Sequence, residues 1–133
     1  MQKDFSELIR LATRAREYAH SSFSGFKVGA AILTKKGKTY TGCNIESASY
    51  GLTVCAERVA IWKAISEGER DFSAIAVVAD TNELTPPCGA CRQIIWEFCG
   101  DIVVVLANLQ GKTKVFKMSK LLPNPFDSKF LNS

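Results

Sequence analysis

Two short stretches carry the residue types that do chemistry: Cys55-Ala56-Glu57-Arg58 and Pro86-Pro87-Cys88-Gly89-Ala90-Cys91. The C-x-x-C spacing lets two sulfurs reach one tetrahedral ion at ~2.3 Å. On a helix those three positions turn by roughly 300°, so both sulfurs leave on the same side. Cys55 and Glu57 are two positions apart, about 200° of turn, and would diverge in mid-helix. At a helix N-terminus they can converge on the axis end. Both stretches are therefore expected at helix N-termini, where free amides and the positive dipole end favour thiolates. Pro86 and Pro87 suit the extended approach to such a start.

Two helix starts facing each other would offer Cys55, Cys88 and Cys91 to one ion and leave a fourth position for water, the pattern of a catalytic zinc. Sulfur-rich tetrahedral sites favour that metal. Three thiolates on a divalent ion leave a formal charge of −1, which Arg58 and the two dipoles can offset. Glu57 would then move a proton between the bound water and a substrate. A structural zinc clip, a redox pair and a set of buried thiols remain open for C-x-x-C alone. The missing fourth ligand weighs against a closed structural site, and the Pro-Pro approach with a third cysteine weighs against a redox pair. His20, the single histidine, falls in a turn remote from both stretches. It reads as a surface or packing residue, and Cys43 and Cys99 read as core thiols.

The elements that must position these groups follow from periodicity. Apolar residues at Phe5, Leu8, Ile9, Ala12, Ala15 and Ala19 predict a helix over 4–19, with Asp4 and Glu7 as a capping box. Residues 26–34 and 39–44 predict a β-hairpin turning at Lys35-Lys36-Gly37-Lys38. Side chains two apart in a strand share a face, so Asn44 and Glu46 point the same way and could grip a hydroxylated ligand. A loop at 48–51 precedes a helix over 54–67 that stops at Gly68. The unbroken apolar runs 74–79 and 102–107 predict strands covered on both faces, with a helix over 91–99 between them. Gln110-Gly111 turns the chain into a last strand over 112–117, and Leu121-Leu122-Pro123-Asn124-Pro125-Phe126 reads as a Pro-rich tail. The expected fold is α/β: a three-layer α-β-α sandwich with a mixed sheet of about five strands.

The 133 residues fit one domain, 1–133, able to build its own core. With 47% apolar and 23% charged residues the composition is globular, and no apolar run approaches the ~20 residues of a membrane span. Met1-Gln2-Lys3-Asp4-Phe5 lacks a basic-then-apolar signal pattern, so a cytoplasmic protein is expected. Five cysteines, an odd number, fit metal binding or burial better than a disulfide framework. The net charge of +4 comes from scattered lysines rather than one basic face with interleaved aromatics, which argues against a nucleic-acid partner.

Beyond these readings the chain resembles the small cytidine deaminases. The resemblance rests on Phe26-Lys27-Val28-Gly29-Ala30-Ala31, then Thr41 to Thr53, then Cys55-Ala56-Glu57-Arg58, then Pro87-Cys88-Gly89-Ala90-Cys91-Arg92-Gln93. The wider class carries a ligand-x-Glu followed later by Pro-Cys-x-x-Cys. The resemblance implies Zn²⁺, one per subunit, on Cys55, Cys88 and Cys91. It implies hydrolytic deamination of free cytidine and 2'-deoxycytidine in pyrimidine salvage, with zinc-bound hydroxide attacking C4 and Glu57 shuttling protons. It also implies that Phe26 packs on the pyrimidine and that Asn44, Ile45 and Glu46 bind substrate, with the Asn44 and Glu46 side chains on the ribose hydroxyls. Relatives of this build are homotetramers whose sites are completed by neighbours, which gives supporting roles to Ala48, Tyr50 and Phe126 beside that of Arg58. Ser22 and Lys27 stand where relatives often have proline, and Gln93 stands where some have a second arginine near the thiolates. A relative of the blasticidin type, acting on another aminopyrimidine, is the nearest rival, and intact Asn44 and Glu46 favour a ribose over it. A zinc-stabilised interaction module without turnover is the rival from outside enzymology.

Overall fold

The computed structural model describes residues 4–131; the reading of the opening Met1–Phe5 falls partly on residues 1–3, outside them. The described residues form one sheet of five strands: β1 (Val28–Thr34), β2 (Thr39–Cys43), β3 (Phe72–Ala79), β4 (Val103–Ala107) and β5 (Thr113–Lys117). Their order is β2-β1-β3-β4-β5. The β3–β4 pair is parallel and the other pairs antiparallel, so the sheet is mixed as expected. A parallel pair needs a crossover, which α3 (Gly89–Cys99) supplies.

Strand alternation builds the two cores. Ala30, Ile32, Ile75, Val77, Val104 and Leu106 face α2 (Ala56–Ser66) and α3, where they meet Ala60, Ile61 and Ile95. The alternate residues Ala31, Ala74, Ala76, Val78 and Val105 face α1 (Ser6–Arg16) and pack on Leu8 and Ala12. Small side chains on both sides of the second core let α1 ride close to the sheet. A β-carbon on Gly29 would lie 1.9 Å from the Ala12 carbonyl oxygen, and one on Gly42 would lie 2.5 Å from the Ala56 carbonyl oxygen and the Ala60 nitrogen. Glycine at these two positions is what allows the helices to approach.

The register decides where a site can form. Val28 at the start of β1 lies opposite Ala79 at the end of β3. Gly29 lies opposite Cys43 at the end of β2, and Val78 opposite Ala107 at the end of β4. The segments before β1, after β2 and after β3 therefore meet at one end of the sheet.

Three local expectations change. The capping box does not form: Phe5 is the N-cap of α1, Asp4 Oδ1 accepts from the Ser6 backbone N–H at 2.9 Å, and Glu7 turns to Arg10. Glu7 sits one position too early to reach back. The helix also ends at Arg16 rather than Ala19, because Glu17, Tyr18 and Ala19 donate to carbonyls three residues back and tighten the last turn. The loop at 48–51 and the tail contain short helices unseen in the sequence, 3₁₀ turns at Tyr50–Leu52 and Ser128–Leu131 and a single turn α4 (Met118–Leu121). They are too short to show a period. Among the described residues no helix is long and apolar enough to cross a membrane.

Candidate active site

Cys55 is the N-cap of α2 and Cys88 the N-cap of α3, both with extended backbone, and Cys91 lies in the first turn of α3. The two stretches thus sit at helix N-termini, and the helices bring the three sulfurs within 4.8 Å of one another. In a tetrahedron of ~2.3 Å bonds sulfurs stand about 3.8 Å apart, so the trio fits one zinc ion. Cys91 is buried, Cys55 half-buried and Cys88 exposed. The side that carries Cys88 is the open one.

In the metal-free chain these thiols share protons unequally. A hydrogen bond from the Cys91 thiol, helped by Arg58, pulls Cys55 down to about 5. Cys91 is pushed well above the ordinary thiol range by that same bond and by burial. Of this pair Cys55 is the readier thiolate, and metal binding requires the thiols to give up their protons. Arg58 Nη2 donates to Cys55 Sγ at 3.5 Å while its guanidinium lies 6.0 Å from the Trp62 ring centroid. Its charge is thus fixed against the sulfur that ionises first. Cys43 and Cys99 are part-buried thiols outside the trio, both raised by burial.

Glu57 is 5% exposed, one residue into α2 from the sheet-side Ala56. Burial pushes its carboxyl up to about 7, with the Cys55 thiolate adding to the rise and its own backbone amide and the Cys91 thiol opposing it. It lines a cavity of about 190 Å³ together with Phe26, Asn44, Thr53, Cys55 and Cys88. Asn44 is locked there: its Oδ1 accepts from the Val28 N–H at 2.9 Å, and its Nδ2 donates to the Phe26 carbonyl at 2.7 Å. One side chain thus ties the end of β2 to the start of β1.

Glu46 lines a second cavity of about 350 Å³ with Phe23, Ser24 and Tyr50, and Thr53 borders both. Its carboxylate accepts from the Phe23 and Ser24 amides at 2.9 and 3.1 Å and from the Ser24 hydroxyl, which together hold its pKa below the usual carboxylate value. Asn44 and Glu46 therefore line two different cavities with Thr53 in the wall of each, rather than one spot. Ile45 between them pairs through its backbone with Val54, at 2.9 and 3.0 Å, and fastens this strip to the residue before Cys55.

The remaining expected residues lie further out. Tyr50 is exposed and meets Phe23 edge-on at 6.1 Å, and Ala48 is exposed beside it. Phe126 lines neither cavity; it stacks on Phe130 at 5.7 Å, and its carbonyl accepts from Gln93 Nε2 at 2.7 Å. Within one chain Gln93 serves the tail, not the thiolates. Sequence reasoning missed Thr53, Thr85 and Val77 in the cavity wall. Thr53 was within reach, since it stands two residues before Cys55 and extended residues two apart share a face.

Comparison with known proteins agrees with this geometry. Residues 2–107 match the family model described as the cytidine and deoxycytidylate deaminase zinc-binding region. A cytidine deaminase of Halalkalibacterium halodurans is 54% identical over 130 residues, 97% of this chain and 98% of that protein. One from Sporosarcina psychrophila is 49% identical over 97% of this chain and 96% of its own length. The crystal structure of cytidine deaminase from Burkholderia pseudomallei superposes with a TM-score of 0.90 at 47% identity, covering 93% of this chain and 100% of that one. With the family model matched over residues 2–107 and the first two relatives matched over 97% of its length, this chain belongs to the cytidine and deoxycytidylate deaminases with a zinc-binding region.

Proposed function

We propose that this chain, as a single catalytic domain over 1–133, hydrolyses free cytidine and 2'-deoxycytidine to uridine and 2'-deoxyuridine with release of ammonia. The observation that carries the reading is the meeting of three thiols, within 4.8 Å of one another, with a nearly buried glutamate in one cavity. The 54% identical relative named a cytidine deaminase supports the substrate.

When bound by Cys55, Cys88 and Cys91, zinc supplies Lewis-acid activation of water at neutral pH. Everything else falls to side chains. Water adds at C4 of the pyrimidine and the C4–N bond breaks, so one water is consumed and one ammonia leaves. Glu57 takes one proton from the attacking water and gives it to ring N3, then takes the remaining proton of the C4 hydroxyl as the carbonyl forms and delivers it to the departing amine. Burial raises this carboxyl in the metal-free chain, the direction that suits general acid–base work near neutral pH. Phe26 offers its ring to the pyrimidine. Asn44 is oriented by its bonds to Phe26 and Val28 and keeps a second N–H for a ribose hydroxyl. Glu46, held ionised by the Ser24 turn, accepts from another, and the Ile45 backbone keeps the two at a fixed spacing.

The same reading makes the protein a cytoplasmic enzyme of nucleoside salvage without nucleic-acid partners, assembled as a homotetramer. Exposed Tyr50, Leu52, Phe126 and Leu131 supply apolar surface for that assembly, with Ala48, Tyr50 and Phe126 completing neighbouring sites. The test is the ultraviolet absorbance of cytidine mixed with purified protein, alongside free ammonia. The expected result is conversion to uridine with ammonia in equal amount, and unchanged cytidine with zinc-loaded protein would overturn the proposal.

A further inference from the structure

Cys88 is the exposed ligand of the trio, and the segment leading to it, although the Pro87 ring is fully buried, has few backbone hydrogen bonds to fix the orientation of its peptide groups. Pro86 and Pro87 have no N–H to donate. Among the described residues the backbone of Pro86–Cys88 is tied by two hydrogen bonds, and Arg92 makes both. Its N–H donates to the Cys88 carbonyl at 2.9 Å, and its Nε donates to the Pro87 carbonyl at 2.8 Å. The other arm of the same guanidinium, Nη1, donates to the Leu121 carbonyl at 2.9 Å. Leu121 closes α4, which is anchored by fully buried Met118 and by its N–H on the Ile102 carbonyl at 2.9 Å. Arg92 thus bridges the cysteine loop to a fixed point of the core.

A cation near a helix N-terminus is opposed by the dipole, so charge alone does not account for an arginine here. The planar fork does: it offers two donors in fixed geometry to two carbonyls on different segments, which a lysine cannot match. We propose that Arg92 is a positioning residue for the metal centre, holding Cys88 in ligating position by clamping Pro87 against the C-terminal segment. The inference rests on the reading of Cys88 as a zinc ligand and adds the group that keeps it in place. Gln93 and Trp96 bind the tail further on, at the Phe126 carbonyl and Asp127, and among the described residues their side chains make no hydrogen bond to Pro86–Cys88.

The test is the rate at which zinc-loaded protein releases its metal to an excess of a chromogenic chelator. Outer-shell partners of metal ligands are worth roughly 10–100-fold in affinity or activity. Arg92→Met is expected to release zinc at least about 10-fold faster than the parent, and Arg92→Lys, with one donor in place of the fork, at an intermediate rate. Gln93→Ala, which loosens only the tail, is expected to stay within about twofold of the parent by the same reasoning. Unchanged release from both Arg92 variants, or equal acceleration by Gln93→Ala, would overturn the proposal. Arg92→Lys keeps the comparison open should Arg92→Met fail to fold. Hydrogen exchange of residues 84–92 in the metal-free chain separates this inference from the function on which it rests. Exchange there quickens in Arg92→Met, with α2 unchanged, if the clamp is real, and matches the parent if it is not, whether or not the protein deaminates cytidine.

Discussion

On the proposed mechanism the proton transfers fall to the Glu57 carboxyl, and its burial gives that role two separable signatures. It is not among the three sulfurs that hold the metal, so Glu57→Gln is expected to keep about one zinc per chain while turnover of cytidine falls by about 10²-fold or more. Steady-state rates read beside metal analysis check this; loss of zinc or full activity would remove it from the role. The second signature needs neither metal nor substrate. In the metal-free chain the folded state holds the Glu57 proton more tightly than the unfolded state does, because burial lifts the carboxyl from 4.5 to about 7. Its contribution to stability is full below about pH 4.5 and lost as pH rises through 7. A glutamine at this position stays neutral, so metal-free Glu57→Gln should gain on the parent between pH 4.5 and 8, by about 3 kcal/mol at most. Urea denaturation at a series of pH values measures the difference. At this scale the sequence was most legible: cysteine spacing and the angular argument at a helix start located all three sulfurs and the glutamate. Thr85 and Val77 were not legible, because an isolated threonine before proline and a valine in an apolar strand carry no chemical mark.

Elements decide whether those side chains meet, and two glycines show how. A β-carbon on Gly42 would strike the backbone of α2 at Ala56 and Ala60, the turn that carries Cys55 and Glu57. One on Gly29 would strike α1 at Ala12 and Arg16, on the other face of the sheet. Both Gly→Ala changes should therefore destabilise by about 1–3 kcal/mol or more, read from denaturation midpoints. Gly42→Ala should also weaken zinc retention, while folded Gly29→Ala should retain its metal. Strands and long helices were readable from periodicity within a residue or two, including the hairpin and both buried strands. The short elements were not, since α4 and the two 3₁₀ turns span too few residues for a period to emerge. The end of α1 failed for a different reason: Ala19 continues the apolar spacing, but the backbone has already tightened before it.

For the whole molecule, apolar surface is the quantity to explain. Tyr18, Tyr50 and Leu52 are more than 70% exposed, and Phe126 and Phe130 more than half. Assembly would cover such side chains, and the family resemblance alone pointed to four subunits; nothing in residue spacing encodes a count. The expected outcome in sedimentation equilibrium is a particle of four chain masses. Tyr50→Glu, at an exposed residue whose ring meets Phe23 edge-on, should shift it towards smaller species and lower activity together. A monomer with full activity would leave the exposed aromatics without that role.

On the proposed reading turnover is coupled to metal through three cysteines at the starts of two helices. The most direct test of this coupling strips the protein of metal under reducing conditions and follows cytidine deamination as zinc is added back. Activity absent from the stripped protein, rising in proportion to zinc and levelling at about one ion per chain, is the predicted result. Turnover by the stripped protein, or no recovery although zinc is bound, would contradict it.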